Sequence, residues 1–245
     1  MFLRKKKELL YLCGAKITAY MVMEFIWIYL YYLSYQIAGK LALTISDDRW
    51  CLPLTMFTYT GMLLGWVFHS GNADKFCLHW KCLNKQCLWH VVPAMLVFPA
   101  YNLLTNPYLQ TDIASILLIV SMCTAEEVFF RGFLFQNLRK YNVKVAVLIS
   151  SIVFALYHFG NLLILDVAAV WFQVMSAFAA GMCYAFFLVL TDSLPICIFA
   201  HCLTNLTAAP SNTVDFNPEL LVVCICISVF YFAHFFNKLS DYSER

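Results

Sequence analysis

Charge is scarce in this chain of 245 residues. Asp, Glu, Lys and Arg make up 12% of it and hydrophobic residues 62%, against roughly 25% and 45 to 50% in ordinary soluble domains. A soluble globular fold and intrinsic disorder are therefore excluded. A nucleic-acid partner is excluded too, because 16 Lys and Arg with a net charge of +2 leave no basic face for a phosphate backbone. The composition predicts a polytopic protein embedded in the lipid bilayer.

Paired cysteine motifs are also lacking. The 11 cysteines are scattered from Cys13 to Cys226, and no C-x-x-C pair occurs. This distribution argues against a disulfide framework and favours small, buried, apolar side chains.

Long hydrophobic runs, by contrast, are abundant, and they predict an all-helical transmembrane bundle of about eight spans. The run at 17–38 is too long for a signal peptide and no small-residue cleavage site closes it, so it is expected to be an uncleaved first span. Nearly all of the 16 Lys and Arg residues fall on one side of this arrangement, which predicts that both termini are cytoplasmic. The expected spans are 17–38, 51–69, 88–105, 112–138, 143–163, 168–190, 194–209 and 219–236.

The segment near 74–89 has a different pattern. Its apolar residues recur at helical spacing while its lysines cluster elsewhere on the helical wheel, which predicts a helix lying along the cytoplasmic membrane interface. The same stretch carries five possible zinc ligands, but their spacing is loose and favours the interfacial helix over a metal site. These ligands are Cys77, His79, Cys82, Cys87 and His90.

Ionisable side chains within a span are costly, so each one indicates a functional site or a buried partner. The span 112–138 contains Glu126, Glu127 and Arg131. Glu127 and Arg131 stand four residues apart with the acid first, the favourable order for an ion pair on a helix. Glu126 is rotated about 100° from Glu127 around the helix, so it needs a partner from another helix.

Few side chains are available as that partner. His158 lies in the span 143–163, one turn after Phe154, and His201 lies in the span 194–209, one turn before Asn205. A glutamate, two histidines and an asparagine supply a base for water, a group that orients the water and donors for an oxyanion. The set therefore suggests hydrolysis of an amide bond.

Three motifs in this region resemble a known family. The residues Glu126 to Arg131, Phe154 to His158 and His201 to Asn205 match, in order, the motifs E-E-x-x-x-R, F-x-x-x-H and H-x-x-x-N/D. These are the motifs of the CAAX-protease and bacteriocin-processing (CPBP) family of intramembrane proteases, also called the Abi family. The resemblance covers about residues 112–209, which divides the chain into N-terminal helices (1–111), a catalytic helical core (112–209) and a last helix with its tail (210–245), all within one structural domain.

The resemblance implies a glutamic-type endopeptidase without a metal or other cofactor. Glu126 and His158 would activate the attacking water, and His201 and Asn205 would stabilise the oxyanion. The remaining motif residues would support this site: Glu127, Arg131 and Phe154. The partner would be a peptide or protein substrate, such as a CAAX-type tail, a bacteriocin leader or a signalling peptide. The compact size of the chain and the lack of a targeting or retention signal favour a bacterial plasma membrane as its location. The oligomeric state is not indicated by the sequence.

Other interpretations of the same residues stay open. A His–Glu hydrogen bond can join two spans without catalysis, so a non-catalytic membrane scaffold or immunity-type protein is the alternative from another class. Glu126, His158 and His201 can also be read as three zinc ligands that leave the fourth position to water. A proton pathway or transporter is less consistent with the sequence, because no paired interrupted spans or repeat symmetry occur.

Overall fold

A computed structural model describes residues 48–80, 85–105, 112–163, 165–208, 218–236 and 239. Regular secondary structure in these residues is helical, without a β-strand, which confirms the all-helical prediction. The predicted span at 17–38 lies outside the described residues. The helices are α1 (Cys51–His69), α2 (Lys85–Thr105), α3 (Ile113–Arg139), α4 (Val143–Tyr157), α5 (Val167–Thr191), α6 (Leu194–Thr207) and α7 (Pro218–Phe236).

Four of the described helices are long and apolar enough to cross a membrane. They comprise Leu88–Thr105 within α2, all of α3, α4 together with the turn that follows it, and α5. α6 and the Leu221–His234 part of α7 are shorter apolar helices. The described residues thus bear out a helical membrane protein, whereas the count of eight spans and the cytoplasmic termini stay predictions.

Three of these helices have a polar capping residue at the point where the apolar run starts. The side chain of Asp112 accepts a hydrogen bond from the Ser115 amide at the start of α3. Asn142 caps α4 in the same way, and Asp166 caps α5 through the Ala169 amide. Such caps satisfy amide groups that have no partner within the helix. They fix where the three helices that carry most of the candidate site begin.

The expected helix over 74–89 does not form over residues 74–80, whereas residues 85–89 are helical as the start of α2. Residues 74–77 lie in turns, and α2 begins only at Lys85. The reason is packing at the junction of α5 and α6. The Leu194 amide donates to the Cys77 carbonyl (2.8 Å) and the Ser193 hydroxyl donates to the His79 carbonyl (2.8 Å). These two carbonyls accept hydrogen bonds from the α5–α6 junction instead of forming helical hydrogen bonds. They hold the segment against the bundle, where Phe76 is buried.

α5 is the central helix of the bundle. It packs against α2, α4, α6 and α7, and its residues from Ala179 to Val189 are all buried. The sequence Ala179-Ala180-Gly181 lies where α5 meets the side chains of α3 and α4. Small residues of this kind let neighbouring helices approach closely within a membrane.

α3 is not a regular α-helix along its whole length. Its first part, Ile113–Glu127, is α-helical, but Val128–Phe135 has π-helical hydrogen bonding before α-helix resumes at Gln136. Wider turns of this kind are rare in proteins overall, and those that occur often lie at functional sites. The change begins directly after Glu126 and Glu127 and includes Arg131, so the first motif spans the junction between the two helix types.

Candidate active site

The second glutamate of the pair lies at the centre of a buried ion network. Arg131 donates from Nη1 to Glu127 Oε1 at 3.1 Å, and both side chains are fully buried. The predicted pair on α3 is therefore present. Arg131 also donates from Nη2 to the carbonyl of Gly181 on α5, at 3.1 Å. The arginine thus joins α3 to the central helix as well as neutralising Glu127.

His201 on α6 lies between the two glutamates of α3. Its Nδ1 is 3.0 Å from Glu127 Oε1, and its Nε2 is 3.6 Å from Glu126 Oε2. Because the carboxylate of Glu127 accepts the Arg131 hydrogen bond and cannot donate when ionised, the His201 proton on this side belongs to Nδ1. Glu127 therefore fixes the orientation of the ring and leaves Nε2 facing Glu126.

The first glutamate thus has His201 as its counter-charge, and not His158. Among the described residues, no nitrogen of His158 forms an ion pair with Glu126, whose side chain retains 13% of its exposure. The Tyr157 side chain is also a polar neighbour of the Glu126 carboxyl group. Glu126 is therefore partly buried, with polar neighbours from α4 and α6.

Asn205 lies one turn after His201 on α6. Its amide nitrogen is 3.3 Å from His201 Nε2 and donates to the sulfur of Cys123 on α3 at 3.4 Å. The same ring edge of His201 therefore faces both Asn205 and Glu126. The Glu126 carboxyl group, the His201 ring and the Asn205 amide therefore lie close together, as expected from the matched motifs.

His158 occupies the end of α4, where the helix tightens into a 3₁₀ turn, His158–Leu163. Its Nδ1 lies 2.9 Å from the carbonyl of Phe154. A carbonyl only accepts hydrogen bonds, so Nδ1 carries the proton and Nε2 of the neutral ring keeps its lone pair. Nε2 has no protein partner within the described part of the chain. His158 is therefore arranged as a hydrogen-bond acceptor.

The ring of Phe154 fills the space between the two histidines. Its centroid lies 5.0 Å from that of His158 and 5.5 Å from that of His201, in edge-to-face geometry with each. The guanidinium carbon of Arg131 lies 4.3 Å from the centroid of Phe154. Aromatic and cation–π contacts of this kind favour particular ring orientations, so Phe154 holds both imidazoles in place.

Sequence reasoning missed Tyr184 of α5. Its ring stacks on His201 with centroids 5.1 Å apart and an interplanar angle of 27°, and its hydroxyl donates to Thr204 Oγ1 at 3.1 Å. Tyr157 was missed as well. Neither has a distinguishing signal in the sequence, because tyrosine is common here, with 14 residues, and neither lies in a position that the motifs specify.

A cavity of about 340 Å³ opens beside these groups. His158, His201 and Asn205 line it, whereas Glu126 is not among the lining residues and lies 3.6 Å from Nε2 of the lining residue His201. A water molecule occupies about 30 Å³ in the liquid, so the cavity has room for water together with a short peptide segment. Its wall carries no Asp, Glu, Lys or Arg among the described residues, and polar groups on it include Asn102, Gln173 and Thr204.

The zinc hypothesis finds no support in the arrangement of the donors. Within the ranges that the structure covers, no group of three or more His, Cys, Asp or Glu side chains is placed to hold a metal ion. This applies to Glu126, His158 and His201, and also to Cys77, His79 and His90 of the segment near 74–89. No step of the reaction proposed below uses a metal.

Comparison with protein-family models finds a match over part of the chain. Residues 109–207 match the family model described as type II CAAX prenyl endopeptidase, Rce1-like. No curated protein and no solved structure matches the chain. The matched segment contains Glu126, His158, His201 and Asn205, together with the ion pair behind them.

Proposed function

We propose that this membrane protein is an intramembrane endopeptidase of the CAAX type, because residues 109–207 match the family model of type II CAAX prenyl endopeptidases. The observation that carries the proposal is the convergence of Glu126, His201 and Asn205 beside a cavity that His158 also lines. These groups come from three helices, and they match the needs of amide hydrolysis in type and number.

The charges of the site support Glu126 as the base. Glu126 and Glu127 carry two negative charges, and Arg131 carries one positive charge. A doubly protonated His201 brings the net charge of the four side chains to zero, which is the least costly state away from water. In that state Nε2–H of His201 is a donor, and the Glu126 carboxylate is free to accept a proton.

The proposed reaction begins with a water molecule between Glu126 and His158 Nε2. Glu126 accepts one proton from the water while the water oxygen forms a bond to the scissile carbonyl carbon. The carbonyl electron pair moves to oxygen, and the oxyanion accepts hydrogen bonds from His201 Nε2–H and the Asn205 amide. The C–N bond then breaks, and the proton held by Glu126 passes to the leaving nitrogen.

The substrate proposal follows the family description. We expect the chain to cleave a prenylated peptide that ends in a Cys-a-a-X sequence, because the matched family is described as CAAX prenyl endopeptidases. The uncharged cavity wall is compatible with such a tail, apart from the two histidines. Bacteriocin leaders and signalling peptides remain alternative substrates of the same site.

The test compares the purified full chain with its Glu126→Gln variant in proteoliposomes, with a farnesylated Cys-a-a-X peptide as substrate and mass spectrometry of the products. Loss of a general base lowers the rate by about 10²–10⁴, so E126Q should release almost no tripeptide. Glu219→Gln is the matched control, because Glu219 is exposed in the first turn of α7. Undiminished cleavage by E126Q would overturn the catalytic assignment. Cleavage of a non-prenylated leader peptide alone would overturn only the substrate class.

A further inference from the structure

We infer that Gly181 of α5 is a positioning residue for the proposed active site. Its backbone carbonyl and its missing side chain together set where Arg131 and Phe154 lie. This inference rests on the proposed function, since it concerns how the reacting groups are held. No motif includes Gly181, and it touches neither the cavity nor the reacting atoms.

The first observation is the space around the Gly181 α-carbon. A β-carbon added there would lie 3.0 Å from Arg131 Nη2, 3.2 Å from Phe154 Cδ1 and 3.4 Å from the α-carbon of Ser151. The two tightest contacts thus involve the side chains of two motif residues on two different helices. Any side chain at position 181 must move one or both of them.

The second observation is the hydrogen bond to the Gly181 carbonyl. Arg131 reaches this oxygen from α3 at 3.1 Å while its other terminal nitrogen holds Glu127. Glu127 in turn holds Nδ1 of His201. A continuous series of contacts therefore runs from Gly181 through Arg131 and Glu127 to the imidazole that faces Glu126.

Phe154 gives a second route to the same groups. It contacts His158, His201 and Arg131, so displacing its ring changes the support of both histidines. Gly181 touches the ring on the edge that carries Cδ1. One added methyl group at Gly181 thus presses on both supports of the site without touching the cavity.

The role inferred for Gly181 differs from that of a glycine that serves only helix packing. A glycine needed only for close helix approach would contact backbone atoms, as at Ser151, and its substitution would affect folding without a specific link to Arg131. Gly132 illustrates a packing role, because the atoms that an added β-carbon there would meet first belong to Phe76 and Leu194. Position 181 is therefore expected to be coupled to Arg131 in a way that a packing glycine is not.

The experiment measures kcat and KM of Gly181→Ala, Arg131→Lys and the double variant with the peptide assay above. Displacing reacting groups by about 1 Å can cost about 100-fold in rate, so we expect G181A to lower kcat by about 10- to 100-fold with little change in KM. In R131K the shorter side chain removes the 3.0 Å contact with Nη2 and leaves the 3.2 Å contact with Phe154 Cδ1, so adding G181A there should cost less than in the wild-type background. The matched control is Gly65→Ala on α1, where an added β-carbon meets nothing within 4 Å.

The outcomes separate this inference from the proposed function. The positioning role is overturned if G181A has the kcat of the wild type, or if G181A causes an equal loss of kcat in the wild-type and R131K backgrounds. The E126Q variant tests the catalytic assignment independently of this result. If G181A alone is not recovered folded, R131K and R131K/G181A are compared. A loss of less than tenfold from R131K to the double variant supports the inference, and a loss of tenfold or more contradicts it.

Discussion

Removal of the Glu127 carboxylate is expected to separate the stability of this protein from its activity. Glu127 and Arg131 are both fully buried, and Glu127 also binds His201 Nδ1. The variant Glu127→Ala leaves the Arg131 guanidinium without its carboxylate. Breaking a buried ion pair in this way costs about 3–5 kcal/mol.

The structure also predicts how the loss of stability can be partly reversed. Glu127 Oε2 and Arg131 Nε have no hydrogen-bond partner in the part of the chain that the structure describes, so the pair is not fully satisfied. Replacing such a pair by apolar residues of similar size is often neutral or stabilising. We therefore expect Glu127→Leu combined with Arg131→Met to recover part of the lost stability, whereas E127A has a Tm lower by about 6–20 °C. The double variant stays below the wild-type temperature because His201 Nδ1 and the Gly181 carbonyl lose the hydrogen bonds of Glu127 and Arg131.

Activity should follow a different order. Neither variant retains the acceptor that orients His201, so both should cleave substrate about 100-fold more slowly. Thermal unfolding in detergent and the peptide assay measure the two properties on the same preparations, with Glu219→Ala as the exposed control. A double variant that regains activity would refute the orienting role of Glu127. A double variant as unstable as E127A would refute the account of the ion pair.

Two further predictions concern the neighbours of the site. Tyr184→Phe loses the hydroxyl bond to Thr204 but keeps the ring on His201, so it should lower stability by about 1 kcal/mol and leave kcat nearly unchanged. Tyr184→Leu also loses the ring stack, which is worth about 0.5–1.5 kcal/mol, and should lower kcat. A kcat of Y184L equal to that of Y184F would contradict the role of the Tyr184 ring in holding His201. Treatment with a chelator, followed by metal analysis, should leave activity intact, since the described residues form no metal-binding group; activity that is lost and then restored by zinc would favour the zinc-dependent alternative.

Part of the candidate site could be predicted from local sequence alone. Glu127 and Arg131 form the ion pair that their spacing indicates, because a separation of four residues places both side chains on one helix face. Phe154 and His158, and likewise His201 and Asn205, contact each other for the same reason. Contacts within one helix follow from its periodicity, and they hold even where α3 changes from α-helical to π-helical hydrogen bonding.

Contacts between helices were harder to predict. The sequence left both His158 and His201 open as partners of Glu126, and the structure places the ion contact of Glu126 with His201. The interfacial helix over 74–89 was also wrong for residues 74–80, because helical spacing gives no sign of the hydrogen bonds that the α5–α6 junction donates to the Cys77 and His79 carbonyls. In both cases the decisive partner is remote in the chain.

The amino-acid sequence by itself determined that this protein is helical and membrane-embedded, and that acids and bases lie within its apolar spans. Those properties depend on composition and on spacing within one helix, which are local quantities. Only the tertiary structure decided that His201 lies between the two glutamates and that Tyr184 stacks on it. Only the packing of α5 brought Gly181 against Arg131 and Phe154. The physical reason is that rotation and depth of one helix against another depend on the shape of all the side chains between them.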